Sequence, residues 1–128
     1  MSGEPIEGEV LLLAGVKASV GPQRVPDLVD LVQADLAPRL EEYDRAYETA
    51  YDREDHAAFF VEDGHWAEIG DRLDFEEREL DAVRRAHHAQ LNRQGRRADR
   101  LEAFESALEI RDCVLIGREE ELLRPEEL

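Results

Sequence analysis

The chain has 128 residues, with 32 Asp and Glu against 16 Lys and Arg, a formal net charge of −16. That balance disfavours nonspecific attraction to nucleic acid or anionic lipid over most of the surface, and the longest apolar run, VLLLAGV at 10–16, falls far short of the ~20 residues needed to cross a bilayer. The length suits one domain with its own core, and a lone Cys113 excludes an internal disulfide, which points to a reducing, cytoplasmic setting.

The basic residues are lopsided: Lys17 stands beside fifteen arginines. Excess carboxylate with almost no lysine is the composition of a protein kept soluble in concentrated salt. The first residues, MSGEPIEGE, lack the positive flank of a signal peptide, in line with a cytoplasmic expectation.

In chain order, Ile6, Val10, Leu13, Ala14 and Lys17 share one face of a short helix that Gly21 and Pro22 end. Leu28, Val32, Leu36, Leu40, Tyr43, Tyr47 and Tyr51 step by three or four and predict one long helix through about residue 52. Pro38 lies off that face, so a kink is expected there instead of a break. Phe59, Phe60 and Val61 fit a short extended segment, but a lone strand with no clear mate is not expected to define a sheet. From His65 the helical pattern resumes with Trp66, Ile69 and Leu73. Asp74, with Glu77 three residues on, then offers an N-cap for the next helix. Its apolar line is Leu80, Val83, His87 and Leu91, continuing to Ala98, Leu101 and Leu108 if Gly95 is tolerated inside it. Residues 108–116 stay open between helix and strand. The elements predict a mainly α, single-domain helical bundle of four or five helices over 1–117, with an extended segment near 58–62 as an option and an acidic, frayed tail at 118–128.

Residues 84–100 carry six arginines and one acid. On a helix whose buried stripe runs through Val83, His87 and Leu91, residues Arg85, Arg93, Arg96, Arg97 and Arg100 fall on the opposite, outward side. Arg93 with Arg97 and Arg96 with Arg100 are like-charge pairs four apart, each unfavourable by a few tenths of a kcal/mol, so relief must come from elsewhere. Three sources stand open: the acids Glu41, Glu42, Asp44 and Glu48 of the long helix, a second protein chain or another copy of this one, or phosphate or nucleic acid. Salt weighs against the last, because a patch neutralising about four phosphates loses roughly three to four orders of magnitude in affinity per tenfold rise in salt.

The stretch 65–87 resembles a helix-turn-helix, with Trp66, Ile69, Leu73, Phe75, Leu80 and Val83 at the hydrophobic positions and Gly70 at the crossing. It departs from that motif at Asp74, where a glycine is usual. It departs again at Glu76, Glu77, Glu79 and Asp81, which would face DNA phosphate. The same residues also resemble the central stretch of death-fold interaction domains. A structural helical corner accounts for both likenesses, with Trp66 as a core anchor whose indole N–H needs a partner. Over its whole length, and most clearly in EERELDAVRRAH and SALEIRDCVLIG, the chain is similar to a small uncharacterised protein family of halophilic archaea. That resemblance implies an environment and no assigned activity.

Catalytic, cofactor and metal signals are lacking. His87 and His88 are adjacent and point about 100° apart on a helix, so they cannot share a metal as an i,i+4 pair would. His87 reads as a core histidine and His88 as a solvated one, while His56 and His65 could join either only through tertiary structure. Cys113 sits in an apolar run and reads as structural. Tyr43, Tyr47 and Tyr51 read as a stripe on the core with hydroxyls at the rim. No nucleotide-binding loop or nucleophile elbow is present. The expectation is therefore a non-enzymatic protein that binds another chain or itself through the arginine face, without cofactor, metal, membrane or nucleic acid. A helix-turn-helix regulator is the alternative.

Overall fold

The computed structural model describes residues 5–118, so most of the expected tail lies outside the described residues. The fold is mainly α, as expected, but it also contains a three-stranded antiparallel sheet in the order β1-β2-β3.

Helix α1 (Gly8–Ala18) buries Val10, Ala14, Gly15 and Ala18, a four-residue spacing that drifts little on an α-helix. Leu13, expected on that face, points outward instead. Gly15 lets α1 approach α2: a Cβ there would lie 2.9 Å from the Val25 side chain and 3.0 Å from the Val20 carbonyl. Helix α2 (Arg24–Leu36) buries Val25, Leu28, Val29, Val32 and Leu36. Pro38 supplies no N–H for the next turn, and the chain tightens into a 3-10 turn at Ala37–Arg39 before α3 (Leu40–Ala46).

The predicted long helix stops at Ala46. Tyr47 is extended, with φ −126° and ψ 159°, and the chain passes straight into β1 (Glu48–Asp52). The tyrosine stripe is thus split between a helix and a strand. β2 (His56–Val61) is buried along its whole length between two partners. β1 pairs from Glu48 opposite Phe60 to Asp52 opposite Ala57, with a bulge between Thr49 and Tyr51. β3 (Asp112–Gly117) pairs His56 with Gly117 through Val61 with Asp112. The lone extended segment therefore has two mates, and residues 112–116 of the ambiguous stretch are strand.

Helix α4 (His65–Leu73) ends at Asp74, which takes the left-handed conformation, φ 59°. Asp74 is a C-terminal residue and not the N-cap of the next helix. That role falls two residues later: Glu76 and Glu79 form a reciprocal capping box at the start of α5 (Glu77–Arg97). The apolar line expected to run to Leu108 belongs to two helices, α5 and α6 (Leu101–Leu108). Gly95 is where they meet, since a Cβ there would lie 2.6 Å from the Phe104 ring and 3.2 Å from the Leu101 Cα. Helix α5 is the hub of the fold, packed by α1, α2, α4, α6 and β3.

The outer edge of β3 is closed by side chains. Trp66 Nε1 donates to the Cys113 carbonyl at 2.8 Å, and the Leu115 N–H donates to His87 Nδ1 at 3.0 Å. Gln33 Nε2 donates to the Leu115 carbonyl at 2.7 Å, while Gln33 Oε1 accepts from the Gly117 N–H at 2.8 Å. Asp112 accepts from the Cys113 N–H at 3.1 Å. Residues from α2, α4 and α5 thereby satisfy backbone groups that a fourth strand would otherwise pair.

Candidate functional site

Of the five arginines singled out in the sequence, Arg85, Arg93, Arg96 and Arg97 lie on α5 and Arg100 just beyond it. Four of them have partners inside the molecule. Arg85 donates to Asp81 at 2.7 Å, one turn back. Arg93 reaches Glu7 at 2.9 Å and Glu9 at 3.0 Å, and Arg97 grips Glu7 at 2.6 and 3.0 Å. Arg100 donates to the Ala50 carbonyl at 2.9 Å and lies over the Phe104 ring at 4.6 Å. Arg96 has no hydrogen-bonded or ion-pair partner among the described residues.

Relief therefore comes from Glu7 and Glu9 at the start of α1 and not from the acids expected at 41–48, of which Glu48, on β1, is taken by Arg111 at 2.7 Å. Glu7 is the centre of this clasp. The buried Gln90 accepts from the Glu7 N–H and donates to its carboxylate, both at 2.9 Å. Hydrogen bonds from Arg97, then from Gln90 and Arg93, hold the Glu7 carboxyl down to about 2. Nothing local in the sequence points to this pairing, because the partners are more than eighty residues apart.

The clasp leaves a groove of about 500 Å³ where α1 crosses α5. Its cationic lining is Lys17, Arg84, Arg85, Arg93 and Arg96, together with His88, and no carboxylate lines it among the described residues. Val10, Leu13 and Ala14 supply its apolar wall. Beside it α1 presents an apolar ridge to solvent: Leu12, Leu13 and Val16 are 54%, 58% and 74% exposed. The Asn92 amide oxygen, in the same lining, is buried without a hydrogen-bond partner among the described residues. A groove of this kind attracts an anionic group and covers apolar surface at once.

Below the groove, Arg84 and His88 converge on the buried Asp112. Arg84 Nε donates to Oδ2 at 2.9 Å and His88 Nε2 holds Oδ1. Burial alone would push the Asp112 carboxyl up, but the hydrogen bonds from His88 and Arg84 outweigh it and hold the group below the usual carboxylate range. His88, expected to be solvated, is instead a structural partner.

His87 is a core histidine, as expected, with its ring 4.7 Å from that of Trp66. Its Nδ1 accepts from Leu115, so the proton sits on Nε2, which has no hydrogen-bond partner among the described residues. Burial, with a smaller push from the His88 charge, lowers its pKa from 6.5 to about 3. Burial also lowers His56 and His65. The unfolded chain therefore binds more protons than the folded one between about pH 6.5 and pH 3. Stability is full above that window and falls on acidification through it. His87 alone should remove on the order of 2 kcal/mol between pH 7 and pH 5. Urea unfolding at both values, on wild type and His87→Gln, checks this: a flat wild-type stability, or an equal slope in the variant, contradicts it.

Of the remaining sequence candidates, the structure brings the Tyr43 hydroxyl to His65 Nε2 at 2.6 Å and the Tyr51 hydroxyl to His56 Nε2 at 2.7 Å. Cys113 is fully buried, and burial pushes its thiol well above its ordinary range. Among the described residues no group of three or more His, Cys, Asp and Glu is arranged to hold a metal, and no helix is long and apolar enough to cross a membrane. The corner between α4 and α5 closes with Leu80 packed against Gly70. Its acids serve the corner itself: Glu76 and Glu79 cap α5, and Glu79 also accepts from Arg24 at 3.2 Å.

Residues 4–118 match a family described as a domain of unknown function, DUF8048. No curated protein and no solved structure matches the chain.

Proposed function

We propose that this chain, which belongs to the DUF8048 family of unknown function, is a non-enzymatic docking module whose α1–α5 groove takes an acidic, leucine-bearing segment of a partner protein. One observation carries the reading: among the described residues, five Lys and Arg side chains and no carboxylate line the groove, although acids outnumber bases two to one in the chain. The exposed Leu12, Leu13 and Val16 beside it supply the second half of the recognition.

The composition supports a salt-rich cytosol as the setting. At molar salt the screening length is only ~3 Å, so charge pairs at the rim are weak. Apolar contact survives salt, and excluded salts strengthen it. The ridge then holds the partner while the arginines select for acid and against base.

The test places a photo-crosslinking amino acid at Val16 and, as a control, at Ile110, which is 77% exposed and lies outside the groove. The full chain is expressed in its own cells and irradiated. The expected adduct forms from Val16 and not from Ile110, maps to a segment rich in Asp, Glu and Leu, and weakens about tenfold in Arg85→Glu/Arg96→Glu. Equal yields at the two positions, or an adduct indifferent to charge reversal, sinks the reading. A segment from a second copy of this chain identifies the module as self-associating.

A further inference from the structure

On the other side of α5 a second cleft, of about 320 Å³, opens between β1 and the α5–α6 turn. Several of its groups are held in place by neighbouring residues. Arg100 lies over the Phe104 ring and is fixed by the Ala50 carbonyl, a bond that occupies one of the five guanidinium donors. Arg97 is oriented by Glu7 and donates to Gln94 at 3.3 Å. Arg53 forms a third side, and the one carboxylate among the described lining residues, Asp52, is paired with Arg118.

The aromatic wall is ordered in the same way. Tyr51 and Phe104 lie with ring centres 6.2 Å apart and planes within 28°. The Tyr51 hydroxyl meets His56 Nε2 at 2.7 Å, and His56 Nδ1 meets Asp55 Oδ1 at 2.8 Å. With the Asp55 carboxylate accepting from Nδ1–H, Nε2 of the neutral ring accepts the Tyr51 proton. The phenol oxygen is left to accept from a further donor.

We propose that this cleft is a binding site for a small planar anion, a ring carrying a carboxylate or phosphate group. The ring lies against Tyr51, beside the Arg100 guanidinium that covers the buried Phe104 ring, and the anionic group takes the remaining donors of Arg53, Arg97 and Arg100. A donor on the ring meets the Tyr51 oxygen. Two features separate this cleft from the docking groove. Its aromatic floor suits a flat molecule where the groove offers a ridge of aliphatic side chains, and its volume lies at the small-molecule end of ligand pockets.

Titration of the full-length protein, followed by amide NMR at constant ionic strength, tests the site with adenosine 5′-monophosphate and 4-hydroxybenzoate as ring-bearing probes and inorganic phosphate and acetate as ringless ones. At least one ring-bearing probe is expected to give saturable shifts at Tyr51, Gln94, Ala98 and Phe104 at millimolar concentration, with the ringless anions at least about tenfold weaker. Arg53→Glu, a change at an exposed position, is expected to weaken binding about tenfold without altering the unfolding midpoint. The carboxylate and phosphate arms tell the two anion classes apart. Equal affinity for phosphate alone, shifts centred on Ala89 and Asn92 of the groove, or no saturable shift with either ring-bearing probe overturns the proposal.

Discussion

Trp66→Ala is expected to cost about 3–5 kcal/mol, the range for truncating a fully packed aromatic side chain. Trp66 is 2% exposed, lies against His87, and donates its indole N–H to the Cys113 carbonyl. Trp66→Phe separates the two contributions. It keeps most of the apolar contact and strands the buried carbonyl, which should cost about 1–3 kcal/mol. Chemical denaturation measures both. A loss in Trp66→Phe as large as in Trp66→Ala would mean that the hydrogen bond, and not the packing, dominates.

The second large effect concerns the charge cluster under the groove. Arg84→Met combined with His88→Leu leaves the Asp112 carboxylate, 2% exposed, without the two side chains that donate to it. The expected loss is about 3–5 kcal/mol, because an uncompensated buried charge costs more than the intact cluster gains. Adding Asp112→Leu to that double variant should restore part of the loss, since an apolar replacement of a whole buried ion cluster is often neutral. If the triple variant is no more stable than the double, the cluster does not act through buried charge.

Much of the helical framework was legible because its period is unambiguous. The buried line Val83, His87 and Leu91 on α5 is where the 3.6-residue spacing places it, and Pro38 disturbs the chain as its missing N–H requires. β1 was hidden for a specific reason. Tyr43, Tyr47 and Tyr51 are four apart, and four residues return a side chain to nearly the same face of a helix and to the same face of a strand. The spacing cannot separate the two. β3 was ambiguous because Cys113 to Ile116 is a run of only four apolar residues, too short to show any period.

Arg85, Arg93, Arg96 and Arg97 lie on the helix to which the spacing assigns them, but their partners are not legible in the sequence. Arg93 and Arg97 meet Glu7 and Glu9 only because α1 lies along α5. Neighbourhood across such a distance in sequence carries no local signature. Arg100 illustrates the opposite error: counted with the face of α5, it follows the end of that helix and turns onto Phe104.

The closure of β3 also limits how copies of this molecule can join sheet to sheet. A fibril built by edge pairing needs two sticky margins per subunit, one to extend and one to be extended. Here one margin is occupied by Trp66, His87 and Gln33. The other is a five-residue strand interrupted by a bulge. Any such polymerisation therefore terminates at a pair, joined through β1.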